Sequence, residues 1–162
     1  MYSLLSNICG EHFSAFLSEC FVNADTFSLS ENAWMVEGNK SEALKIRHRL
    51  TPFHVRNIQT SSWFSYAVPQ HKSFQVAVFR ADPKALSILL EEYQSMFYED
   101  GAWAKPEDIC FFKNKKLVVG SSTHERICYV YSNNEGFLRN IEKLGKWEIL
   151  PDAIEEQIVL SL

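Results

Sequence analysis

Glycine and proline are scarce in this sequence, six and five in 162 residues, and too scattered to build a flexible linker or a collagen-like repeat. No apolar run approaches the ~20 residues of a membrane-spanning helix. The opening MYSLLSNICGEHF carries no charged leader followed by a cleavage site, so no secretory signal is expected. Cations are in deficit: 16 Lys and Arg against 20 Asp and Glu leave a formal charge of −4, which argues against duplex DNA or an anionic membrane as the main partner. Walker-type, GxGxxG and GxSxG patterns are all missing, which removes the common phosphate-binding loops and the nucleophile elbow.

Cysteine is present but unpatterned. Cys9, Cys20, Cys110 and Cys128 form no CxxC pair, and no histidine stands at zinc-finger spacing from them, so neither a metal site nor a cofactor is expected. Cys9 and Cys20 fall in one expected helix, about 16 Å apart along its axis, too far for a disulfide. Cys110 and Cys128 lie inside apolar, strand-like runs and read as small buried hydrophobes. Free thiols of this kind suit a reducing cytoplasm.

The remaining pattern is that of an ordinary globular domain, 46% hydrophobic and 22% charged. Leu4, Leu5, Ile8, Phe13, Phe16, Leu17 and Cys20 keep a helical period. Thr26–Leu29 and Ala33–Val36 are short strand candidates, and Ser41 precedes a helix over Glu42–Leu50 that Thr51-Pro52 must end. Trp63–Val68 and Ser73–Arg80 read as a hairpin across Pro69–Lys72. Asp82 and Pro83 are an N-cap and a first helical residue, and the apolar spacing from Leu86 through Phe97 predicts one long helix. Ile109–Phe112, Leu117–Val119 and Ile127–Tyr131 predict an antiparallel meander, with a tight turn at Asn114-Lys115 and a looser one at Gly120–His124. Asn134 caps a helix carrying Phe137, Leu138, Ile141 and Leu144, and Asp152 with Glu155 resembles a capping box for a last short helix bearing Ile154, Ile158 and Val159. The expectation is a single α+β domain over residues 1–162, with a mixed, mostly antiparallel sheet of about five strands and helices mainly on one face.

Charge is the most informative functional signal. Between positions 91 and 108 the carboxylates Glu91, Glu92, Glu99, Asp100, Glu107 and Asp108 face Lys105 alone, and Tyr98 and Trp103 lie among them. Acidic residues around an aromatic anchor suit a surface that captures a basic protein, because charge speeds encounter and the aromatic supplies binding energy. A second reading places a small enzyme or ligand pocket at His124, Glu125 and Cys110, with Ser121 or Ser122 as alternative nucleophiles. A third uses Lys45, Arg47, Arg49 and Arg56, followed by Phe53, Trp63, Phe64 and Tyr66, to hold single-stranded nucleic acid; the global negative charge argues against it.

The strand-turn-strand run PEDICFFKNKKLVVGSSTHERICYVY and the helix after it, in a small, acidic, aromatic-rich α+β chain, resemble the immunity proteins of bacterial polymorphic-toxin and contact-dependent growth-inhibition systems. The likeness is one of layout over about the last two-thirds of the chain and carries no diagnostic motif. It implies a non-enzymatic protein that binds a cognate toxin domain, often a basic nuclease, inside the producing cell and occludes its active site. It transfers no binding residue to this sequence.

Overall fold

The computed structural model describes residues 1–31, 40–64, 66–69, 71–97 and 105–151. In chain order the elements are β1 (Tyr2–Leu4), α1 (Gly10–Asn23), β2 (Thr26–Glu31), α2 (Lys40–Leu50), a 3-10 turn (Thr51–Phe53), β3 (His54–Thr60), β4 (Ser62–Trp63), β5 (Tyr66–Ala67), β6 (Phe74–Arg80), α3 (Pro83–Glu92), β7 (Glu107–Lys113), β8 (Lys116–Ser122), β9 (Ile127–Val130), α4 (Glu135–Ile141) and β10 (Trp147–Ile149). The expected strand Ala33–Val36 and the expected last helix after Asp152 lie outside the described residues.

The fold is α+β, but its sheet has eight strands rather than about five, ordered β10-β1-β9-β8-β7-β2-β6-β3. Every described pairing is antiparallel. The extra strands are β1, β3 and β10. The first has the apolar period of a helix start, yet Tyr2 pairs with both Ile149 and Val130, so Leu4 is buried by the sheet and the helix waits until Gly10. Gly10 takes a left-handed φ of 58°, which suits a residue without Cβ at the corner where strand becomes helix.

Phe74–Arg80 does not pair with Trp63–Val68. It pairs with β3, while the intervening residues form their own two-stranded hairpin, β4 and β5. That hairpin lays Phe64 on the sheet, where it is 1% exposed. Gly120 lies directly beneath: a Cβ there would stand 2.5 Å from the Phe64 ring. The predicted loop at Gly120–His124 is therefore strand as far as Ser122, and the turn begins only at Thr123, where Arg126 N–H donates to its carbonyl at 3.2 Å.

One face of the sheet carries the main core. Side chains from all four helices, Phe16, Ile46, Leu89 and Phe137 among them, pack with Phe27, Phe79, Phe111, Val119 and Val130. Phe27 lies at 5.2 Å from Phe79 and 5.2 Å from Phe21, ring centre to ring centre. Alternation sends Val78, Cys110 and Phe112 to the other face, beneath Phe64, and the register shift between β7 and β8 puts Leu117 there too, opposite to Val119.

The helix from Pro83 ends at Glu92, short of the predicted Phe97. Asp82 accepts from Lys84 N–H at 2.8 Å as the cap requires. At the far end Phe97 N–H donates to Asn7 Oδ1 and Asn7 Nδ2 donates back to the Phe97 carbonyl, each at 2.8 Å. Met96 N–H reaches the Ile8 carbonyl and Gly10 N–H the Gln94 carbonyl, both at 2.9 Å. These bonds draw residues 93–97 out of the helix while Tyr93, Met96 and Phe97 stay buried as their spacing implied.

Two ends of the sheet remain open: among the described residues no strand pairs with the outer edge of β3 or of β10. The close approach at Gly120 gives the first prediction. Gly120→Ala should push Phe64 off the sheet and lower the unfolding free energy by about 1–3 kcal/mol, read from urea denaturation. Phe64→Ala in the same background should remove the clash and restore part of the difference caused by the alanine.

Candidate functional site

The predicted acidic face divides three ways. Tyr98, Glu99, Asp100 and Trp103 lie outside the described residues. Glu91 and Glu92, at the end of α3, both accept hydrogen bonds from the Arg49 guanidinium on α2, and the two carboxylates raise the arginine's pKa. Lys105 Nζ donates to the Glu92 carbonyl. The acidic and basic stretches thus meet each other.

Glu107 and Asp108 are the clearest correction. They are 5% and 1% exposed and do not belong to a docking surface. Ser30 Oγ donates to Asp108 Oδ2 at 2.9 Å and approaches the Glu107 carbonyl at 3.2 Å. Thr123 N–H donates to Asp108 Oδ1 at 2.6 Å, and Asp108 N–H donates to Thr123 Oγ1 at 3.3 Å. One carboxylate therefore ties β2, β7 and the end of β8 together at the point where the β2–β7 register shifts. Asp108 holds φ at 56°, a left-handed conformation that aspartate tolerates better than most side chains.

His124 follows Thr123, so the same turn brings its imidazole to this cluster. One ligand-type atom each from Glu107, Asp108 and His124 lie within 4.8 Å of one another. Two carboxylate oxygens and one imidazole nitrogen are a donor set that zinc or manganese accepts. His124 Nε2 also stands 3.6 Å from Glu125 Oε1. The cavity bordering the cluster, between Tyr93, Met96, Asp108 and Thr123, measures only about 20 Å³, room for about one water. His124, expected beside Glu125 and Cys110, stands instead with Glu107 and Asp108, two carboxylates expected at the surface.

Cys110 is sealed from this site. It is 0% exposed, on the sheet face beneath Phe64. Burial pushes its thiol up to about 12, and the nearby Asp108 charge adds to the rise. A thiol so protonated is no nucleophile at neutral pH. Cys128 and Cys20 are raised too, chiefly by burial, and Cys9 alone of the four is exposed. Ser121 Oγ is committed to the Ile109 carbonyl at 2.8 Å. Ser122 Oγ is buried without a hydrogen-bond partner among the described residues.

Of the cations in the third reading, Arg49 is held by Glu91 and Glu92. Arg47 is half-buried and reaches the Gln75 side-chain oxygen at 2.8 and 3.0 Å when that amide is oriented to accept. Lys45 is exposed on α2 and Arg56 half-buried on β3. They do not form one continuous stripe of solvated charge. No protein-family model matches the chain, and no curated protein or solved structure matches it either.

Two predictions follow from this geometry. Asp108→Ala leaves Thr123 N–H and Ser30 Oγ–H without their acceptor and puts alanine at a positive φ, so it should cost about 2–4 kcal/mol; Asp108→Asn, which keeps an acceptor and tolerates the backbone, should cost less. Equal losses in urea titrations would contradict the clamp. For the thiols, native protein treated with iodoacetamide should be alkylated at Cys9 only, by mass spectrometry. Below the ordinary thiol value of 9.0 both folded and unfolded thiols are protonated. Above it the unfolded thiols ionise while the buried ones do not, so stability should fall as pH rises from 9.0 toward about 12.

Proposed function

We propose that the chain is a non-enzymatic protein-binding module of the immunity type, which neutralises a cognate toxin domain inside a bacterial cell by covering its active site. The observation that carries this reading is the open edge of β3. Seven residues, His54–Thr60, offer one row of backbone donors and acceptors with no strand paired to it among the described residues, a template for an added strand from a partner. Val55 stands 45% exposed at its start, between His54 and Arg56, where the β3–β6 register shifts. Arg80 beneath it reaches the Pro52 carbonyl at 2.8 Å and pins the turn that presents the strand.

This moves the docking face from the acidic span to the opposite sign of charge. Within that span the described carboxylates, Glu91, Glu92, Glu107 and Asp108, are buried or held by Arg49, so they give little reason to expect a basic partner. His54 and Arg56, on β3 itself, suit an extended partner segment that carries carboxylates. The catalytic reading through His124, Glu125 and Cys110 has less support, because the thiol is sealed under Phe64 on one face of the sheet.

The test pairs a growth assay with a binding map. The gene directly upstream is read, and any C-terminal domain of a large secreted protein found there is expressed in bacterial cells with and without this chain; rescued growth is expected, and either the absence of such a domain or failure of rescue would end the proposal. With the complex in hand, amide exchange over 54–60 should slow, and Val55→Glu should weaken binding by about tenfold or more without lowering the melting temperature. Protection elsewhere with β3 unchanged would overturn the assigned edge.

A further inference from the structure

Where β2, β7 and β8 meet, two consecutive carboxylates are buried side by side. Alternation along a regular strand would send them to opposite faces. Here the two steps along β2 from Ser28 to Ser30 are matched by three along β7 from Cys110 to Glu107. The extra residue makes a bulge, and Glu107 and Asp108 share Ser30, whose Oγ approaches the Glu107 carbonyl and donates to Asp108 Oδ2. The left-handed φ of Asp108 belongs to the same irregularity. The backbone thus gathers two side chains that a regular strand would part.

The next turn adds an imidazole. Thr123 N–H is fixed on Asp108 Oδ1, and His124, the following residue, brings a ring nitrogen to within 4.8 Å of an oxygen from each carboxylate. Its side chain is 24% exposed, which leaves a path from solvent to the buried pair.

A fourth polar group faces the same way. Ser30 points away from Phe27 and Leu29 of the helix-side core, so Asp108 meets it on the hairpin side of the sheet. Gly120 lies under Phe64 on that side, and alternation turns Ser122 toward it as well; Ile127, its partner on β9, packs there too. Three residues on from the Phe111–Val119 pair, Ser122 comes opposite Asp108, where the Thr123 bond joins the two strands. Ser122 Oγ is fully buried and has no hydrogen-bond partner among the described residues. Buried hydroxyls ordinarily have one, and this one is aimed at two carboxylates and an imidazole.

Chemistry selects the ion. Buried charges are paired or hold metals, and two carboxylates this close favour a cation between them. The bonds from Ser30 and Thr123 orient Asp108 while leaving it able to coordinate. One imidazole with two carboxylates suits zinc, whereas calcium and magnesium take oxygen donors. Donors on one zinc stand about 3.3–3.6 Å apart, since the bonds are about 2.0–2.2 Å long. Rotation of the His124 ring on its turn closes that difference without disturbing the core.

We propose that Glu107, Asp108 and His124 bind one zinc ion, its fourth position turned toward Ser122 Oγ, and that the ion clips the turn after β8 onto the start of β7. The site shares no residue with β3 and needs no partner, so this inference and the proposed docking edge can fail separately. The test is calorimetric titration of the full chain, first stripped with a chelator, with zinc chloride in one arm and calcium chloride in the other. One zinc per chain is expected, at a Kd of about 10 µM or tighter, with no comparable calcium binding. Of the five histidines, His124 alone should show ring NMR signals that move. At about a hundredfold excess over Kd, zinc should raise the melting temperature by about 5 °C or more and slow amide exchange over 123–126. His124→Ala, which should melt unchanged without metal, is expected to weaken binding roughly tenfold or more, while Cys9→Ser and His71→Ala leave it intact. Weaker zinc binding than this, binding that survives His124→Ala or is lost in Cys9→Ser, or equal affinity for calcium would overturn the site. An unchanged Kd in Ser122→Ala would remove the role given to that hydroxyl.

Discussion

The structure depends on the aromatic column around Phe27. This side chain, on the strand flanked by β6 and β7, is fully buried and touches Phe79 on one neighbouring strand, Phe111 on the other and Phe21 on α1. Burying rings of this size supplies a large share of the apolar stabilisation available to a domain of this length. It also fixes register: with Phe27 facing the helices, alternation must turn Ser28 and Ser30 to the opposite face. Ser30 then meets Asp108, and Cys110 is sealed beneath Phe64. The polar clamp and the buried thiol both follow from which way one phenylalanine points.

Local chemistry was legible in the sequence wherever a few adjacent residues determine the backbone. Asp82-Pro83 marks a helix start, Asn134 caps the next helix through its own Oδ1, and Asn114-Lys115 makes the tight turn. The α+β class and the meander β7-β8-β9 were also readable, since their apolar runs are long and punctuated. What escaped was set by distant partners. Residues 2–4 became strand because the chain near 147 and 130 lay ready to pair with them. Residues 93–97 left their helix for Asn7, a partner 90 positions away.

The candidate site shows the same division more sharply. His124 was visible as a turn histidine, but its neighbours were assigned by proximity in sequence. A carboxylate next to other carboxylates reads as solvated surface; Asp108 is instead buried because Ser30, 78 positions earlier, and the Thr123 amide satisfy its oxygens. The Arg49 pairing with Glu91 and Glu92 likewise spans more than 40 positions and cancels charges that looked available in both stretches. Composition gives the sign of a local charge, and only the fold shows whether that charge faces water.

The pairing of Tyr2 with Ile149 and of Leu4 with Trp147 has a consequence for biosynthesis. A nascent chain emerging from the ribosome can bury α1 and the Phe27 column long before its partner for the first strand exists. Until residue 149 clears the exit tunnel, one side of β1 must stay unpaired, and the late arrival of so non-local a contact makes completion of the sheet a late step in folding. During that interval β1, rather than β10, is the vacant border on this side of the sheet, a border of the kind that chaperones shield.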